Sequence, residues 1–143
     1  MNRRVLHLSD ALAAQMLGAA ARAFPLECCG LLEGTRIESG WRAAALHESA
    51  NLAEDPARRF LIDPQTQFDL ERTLRTSANR IIGCFHSHPD GHPSPSATDR
   101  AGAYEDDFLW LIAAGSAQTG FTLQAYVFSE EAGFARIALS EEA

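Results

Sequence analysis

Lysine is absent from the 143 residues, so all 12 basic side chains are arginine. Acidic residues outnumber them at 19, leaving a net charge of −7 at pH 7. With that balance and no arginine cluster, the chain has little attraction for phosphate backbones or anionic membrane surfaces, and neither nucleic acid nor membrane is an expected partner. Cysteine is scarce. The three, Cys28, Cys29 and Cys84, are an odd number with no C-x-x-C, which suits neither a disulfide framework nor a thiolate zinc site and points to the cytoplasm. Long hydrophobic runs are missing too. The Ala-rich stretch after Asp10 is broken by Gln15 and Arg22 and stops at Pro25, too short to span a bilayer, and the N-terminus lacks a signal-peptide core.

What is present is an ordinary globular profile, 46% hydrophobic and 22% charged, in a length that fits one domain over residues 1–143. Val5 to Leu8 reads as a short edge strand. Ser9 is a helix N-cap with Asp10 in the first turn, and Leu12, Met16, Ala19, Ala20 and Ala23 share one face of a helix over Ala11–Phe24. Leu26 to Gly34 is a strand with Gly30 inside it, which implies a bulge or a close backbone approach. Trp41 to His47 pairs back on it, Glu48 to Arg59 is loop, and Phe60 to Ile62 is a brief strand. Asp63-Pro64 starts a second helix whose apolar side is Phe68, Leu70 and Leu74. Arg80 to His88 is apolar on both faces, as an interior strand should be. Ser96 to about Tyr104 is helical, Phe108 to Ala114 is a buried strand, and Phe121–Ser129 and Phe134–Leu139 form a last pair before a frayed tail at Ser140–Ala143. The fold class is α+β, a mixed and mostly antiparallel sheet flanked by helices.

The chemistry concentrates in I-I-G-C-F-H-S-H-P-D-G-H-P-S-P-S-A-T-D, Ile81 to Asp99. His86 and His88, two apart on a strand, point to the same side. Pro89 ends the strand, and the loop can return Asp99 to the same point. Two histidines and a carboxylate are a common catalytic zinc set, the fourth position being left to water. Ser96-x-x-Asp99 also matches a capping box, a bland use of the same two residues. Cys84, on the same strand face, and His92, in the loop, are rival ligands that would close the shell into a structural site. Glu27 on its own reads as a solvated acid at a turn. His7 and His47 have no partner in the sequence.

Together, His86-Ser87-His88-Pro89, the loop, Pro95-Ser96, Asp99 and the upstream Glu27-Cys28-Cys29-Gly30 resemble the JAMM motif of the MPN (Mov34/PAD-1) metallopeptidases, compact prokaryotic type. The resemblance covers nearly the whole chain and implies a cytidine-deaminase-like core. It implies that His86, His88 and Asp99 hold one Zn2+ per chain, that Glu27 is the general base for the zinc water, and that Ser96 hydrogen-bonds the oxyanion, with Ser87 facing away. It also implies hydrolysis of an amide bond, by a peptidase or isopeptidase. Beyond Arg100 there is little room for the insertions of polyubiquitin-cleaving members. The expected substrate is therefore the C-terminal tail of a ubiquitin-like sulfur-carrier protein, or a peptide. The alternative is a metal-free MPN scaffold that only binds protein partners.

Overall fold

The computed structural model describes residues 4–141. The first helix begins where the side chain of Ser9 accepts the Leu12 N–H at 3.1 Å. This helix, α1 (Asp10–Ala23), buries Met16, Ala19 and Ala20. The seven strands are β1 (Val5–Leu8), β2 (Cys29–Ile37), β3 (Gly40–Ser49), β4 (Arg80–His88), β5 (Leu109–Ser116), β6 (Gly120–Ser129) and β7 (Gly133–Glu141). Asp63 caps α2 (Pro64–Thr73) by accepting the Gln65 N–H at 2.9 Å. A 3-10 turn (Leu74–Thr76) follows, and α3 (Ala97–Gly102) completes the helices. Among the described residues no helix is long and apolar enough to cross a membrane.

The expected mixed α+β composition holds, but the sheet is not open with helices on its faces. It closes into a barrel in the order β1-β3-β2-β4-β5-β6-β7. Closure comes from β1, expected at an edge, which instead pairs in parallel with both β3 and β7. A closed sheet leaves no edge to blunt, and pairing between chain ends has no local sequence signal. β4 lies centrally, antiparallel to β2 and parallel to β5.

Packing sorts β4 by face. Phe85 belongs to the main core with Leu6, Leu32, Trp41, Leu111 and the buried face of α1. Cys84 faces the other way, into a cluster with Trp110, Ile112, Tyr126 and Phe128. His86 and His88 follow Cys84 in that alternation, so the histidine pair rises from the aromatic side of the barrel wall.

Several expected boundaries shift. Phe60 to Ile62 is not a strand; only an isolated bridge joins Asn51 to Ile62. Phe68 is 54% exposed, leaving Leu70 as the buried residue of α2 and Leu74 buried in the 3-10 turn that follows. α3 stops at Gly102 rather than near Tyr104. Ser140 and Glu141 extend β7 rather than fraying, and positions 142–143 lie outside the described residues.

Candidate metal centre

Glu27 lies two residues before β2, so its position depends on how that strand docks on β4. Cys29 is in register with His86. One residue earlier, the Ser87 N–H donates to the Cys28 carbonyl at 3.1 Å and the Cys28 N–H donates to the Ser87 hydroxyl at 2.8 Å. Ser87 does face away from the histidines, as strand alternation requires, and from there it ties down the residue after Glu27. Gly30 permits the approach of β3. A Cβ at this position would sit 2.7 Å from the His47 carbonyl oxygen, a distance real side chains do not adopt.

His86, His88 and Asp99 come together. The two Nε2 atoms are 3.0 Å apart, and each is 3.1 Å from Asp99 Oδ2. All three residues are buried and form a group able to hold a metal ion. A tetrahedral zinc with bonds near 2.0–2.1 Å has ligand–ligand edges of about 3.3–3.4 Å, so this triangle needs to open by only about 0.3 Å per edge. Donor type and spacing therefore fit zinc. Neither Cys84 nor His92 belongs to the group. Burial, with Asp99 adding to it, pushes the Cys84 thiol well above its usual range. His92 instead contributes its main-chain carbonyl, which accepts from His88 Nδ1 at 2.8 Å. That bond leaves His88 Nε2 as the lone-pair nitrogen, the outer-shell arrangement of metal-binding histidines.

The capping box and the cluster share one oxygen. Ser96 Oγ accepts the Asp99 N–H at 3.0 Å, and Asp99 Oδ2 accepts the Ser96 N–H at 2.9 Å. The helix cap and the donor triangle thus share one carboxylate oxygen. Burial opposes ionisation of Asp99, but its close contacts with the His86 and His88 rings and the N–H of Ser96 outweigh it and hold the carboxyl well below the usual range. Burial lowers His86 despite Asp99. At His88 burial is outweighed by the Asp99 and His92 contacts, and the ring is raised.

Glu27 is 6% exposed, and its Oε1 has no hydrogen-bond partner among the described residues. Burial pushes its carboxyl up to about 7; His88 opposes this, and Asp99, Asp90 and Asp55 add to it. It shares a cleft of about 700 Å³ with His88, Asp90, His92 and Ser96. A second groove, about 760 Å³, runs past Asp99 on the other side over Leu31, Ile81, Phe108 and Trp110. Asp99 thus lines this groove, while His88 lines the cleft that holds Glu27.

His86 is held unusually. Its Nδ1 is buried without a partner. The ring instead stacks on Phe60, with centroids 4.2 Å apart at 21°, and meets Trp110 edge-on at 5.9 Å. Sequence reading missed Phe60 and Trp110 as site residues; neither carries a motif, and only their three-dimensional placement distinguishes them. Ser87 sits inside the motif, but its bond to the Cys28 N–H was not foreseen. Of the histidines left aside, His47 Nε2 contacts Glu33 Oε1 at 2.7 Å and His7 Nε2 contacts Ser39 Oγ at 3.1 Å.

Comparison with known proteins agrees with this geometry. A family model described as prokaryotic homologs of the JAB domain matches residues 9–127. A desampylase of Haloferax volcanii is 32% identical over 88 residues, 62% of each chain. The tail tip assembly protein K of Escherichia phage N15 is 28% identical over 87 residues, 60% of this chain and 31% of that protein. The matched segment thus spans less than two thirds of either relative. Among solved structures, a protein of Desulfitobacterium hafniense superposes with a TM-score of 0.78 at 29% identity, covering 96% of this chain and 93% of that one. A protein of Salinibacter ruber gives 0.70 at 29% identity, covering 97% and 91%. With a matching family model over most of its length and the His-His-Asp group in place, the chain belongs to the prokaryotic JAB-domain branch of the JAMM/MPN family.

Proposed function

We propose that this protein is a zinc-dependent isopeptidase or peptidase that cleaves an amide bond at the C-terminal tail of a ubiquitin-like protein, with His86, His88 and Asp99 as the metal ligands. The observation that carries this is Glu27, a buried carboxylate with an unpartnered oxygen in the same cleft as His88 and Ser96. A structural site would have no use for such a group. The intact ligand set likewise favours an enzyme over the metal-free scaffold.

His86, His88 and Asp99 would hold the zinc, which would supply Lewis acidity and a more acidic water near neutral pH. The chain's own residues do the rest. Glu27 takes the proton from the attacking water and hands it to the leaving amine, which is too basic to depart as an anion. Burial raises the Glu27 carboxyl in the metal-free protein, and a cation bound beside it would favour the ionised form that accepts the proton. Ser96, whose hydroxyl proton has no acceptor among the described residues, donates to the carbonyl oxygen as negative charge builds there.

The two clefts suggest how a substrate lies. The acyl-side tail runs along the apolar groove past Asp99, and the amine side falls beside Glu27. Glycine at the end of the tail lets its backbone pass close to the centre. The likeness to a desampylase supports a ubiquitin-like substrate. A sulfur carrier ending in Gly-Gly, in the cytoplasm, is the specific form we favour.

The test is Glu27→Gln against a ubiquitin-like protein extended beyond its C-terminal Gly-Gly. Turnover should fall by about 10²–10⁴-fold, while zinc remains bound. Turnover retained at the wild-type rate would remove Glu27 as the base.

A further inference from the structure

The segment between β3 and α2 has little regular structure, yet it delivers Phe60 onto His86. The Leu52 N–H donates to the Leu61 carbonyl at 2.9 Å and the Asp63 N–H to the Ser49 hydroxyl at 2.9 Å, but the side chain of Asn51 ties the most points of the segment together. Asn51 Nδ2 donates to the main-chain carbonyls of Glu27 at 3.0 Å, Arg59 at 3.1 Å and Pro56 at 3.5 Å. Asn51 Oδ1 accepts the N–H groups of Ala53 and Leu61, both at 3.0 Å. The Glu27 N–H closes the ring onto the Pro56 carbonyl at 2.8 Å. A carboxamide has two N–H donors and two acceptor lone pairs, so Asn51 uses its full capacity. A carboxylate of the same shape would face three carbonyls with nothing to donate.

The two ends of this network are the peptide of Glu27 and the peptide linking Phe60 to Leu61. His86 Nδ1 has no hydrogen-bond partner among the described residues, so on that side of the ring the Phe60 stack takes the place of a hydrogen bond in orienting it. We propose that Asn51 is a positioning residue that fixes the Glu27 main chain and the Phe60 ring at once, so that the base and His86 keep one mutual geometry. This rests on the roles given above to Glu27 and His86, but its test does not need peptidase turnover.

The variants are Asn51→Ala, Asn51→Asp, Phe60→Leu and Phe60→Tyr, with Leu6→Ala, in the core away from the centre, as a control for lost stability. The first readout is the His86 ring C–H resonances of the metal-free protein by NMR. The second is zinc affinity by chelator competition. Phe60→Leu should abolish the upfield shift that the stacked ring imposes on His86, and Phe60→Tyr should preserve it. Both Asn51 variants should move His86 to the Phe60→Leu position and weaken zinc binding by about 10- to 100-fold. Leu6→Ala should lower the melting temperature and change neither readout. His86 resonances at their wild-type positions in both Asn51 variants, with zinc affinity within about twofold, would overturn the proposal. So would a Leu6→Ala variant that matched the Asn51 losses. If the Asn51 effects appear while the wild-type protein cleaves no ubiquitin-like substrate, the positioning role stands and the peptidase reading falls.

Discussion

At the scale of the residue, Glu27 sets the terms. An ionised carboxylate without a hydrogen bond at one oxygen is costly to bury, and the raised pKa expresses that cost. The consequence for stability has a definite sign. Unfolded, the group has the ordinary carboxyl value of 4.5; folded, burial pushes it up to about 7. Between those values the unfolded chain releases a proton that the folded chain keeps, so folding stability is fully present below the lower value and falls as pH rises through the upper one. Glu27→Gln removes this fall. In thermal melts of metal-free protein, the variant should match wild type at acidic pH and melt higher at pH 8. Equal melting temperatures at both would mean that Glu27 is not buried as a charge.

The same residue shows where sequence reading stops. His86 and His88 could be placed on one side because a strand has period two. Asp99 could be placed only ambiguously, because Ser96-x-x-Asp99 also spells a helix cap, and the structure puts both uses on one oxygen. Glu27 has no local signal at all. Its significance comes from a strand pairing across more than fifty positions, which only the resemblance to JAMM motifs anticipated.

At the scale of the element, that pairing is the contact between the start of β2 and the end of β4. The Ser87 hydroxyl accepts the Cys28 N–H, and Ser87 itself is fully buried. Ser87→Ala leaves that N–H without its partner, which costs about 1–3 kcal/mol, and loosens Glu27 relative to the histidines on either side of Ser87. Urea denaturation should show the loss, and turnover should fall with little change in zinc content. Unchanged stability and turnover together would contradict this link. The helices α1 and α2 were readable because Ser9 and Asp63 announce their starts and apolar spacing marks their faces. The segment 50–63 was not. The apolar triplet Phe60-Leu61-Ile62 suggests a strand, whereas its conformation is set by side-chain bonds from Asn51, which leave no periodicity to detect.

At the scale of the molecule, a short strand near the chain start closes a barrel that the local pattern presents as an open sheet. The closure is non-local: β1 pairs with β3 on one side and with β7, from the far end of the chain, on the other. The barrel holds β4 between β2 and β5, and with it the His-His-Asp triangle, Glu27 and the two grooves. The acidic charge fits a protein substrate better than a polyanionic one. The most direct measurement is a crystal structure of the zinc-loaded protein with anomalous data at the zinc edge. One ion per chain should lie about 2.0–2.2 Å from His86 Nε2, His88 Nε2 and Asp99 Oδ2, with a water between it and the Glu27 carboxylate. Zinc bound elsewhere, or a shell closed by a fourth protein ligand such as Cys84, would contradict the proposed centre.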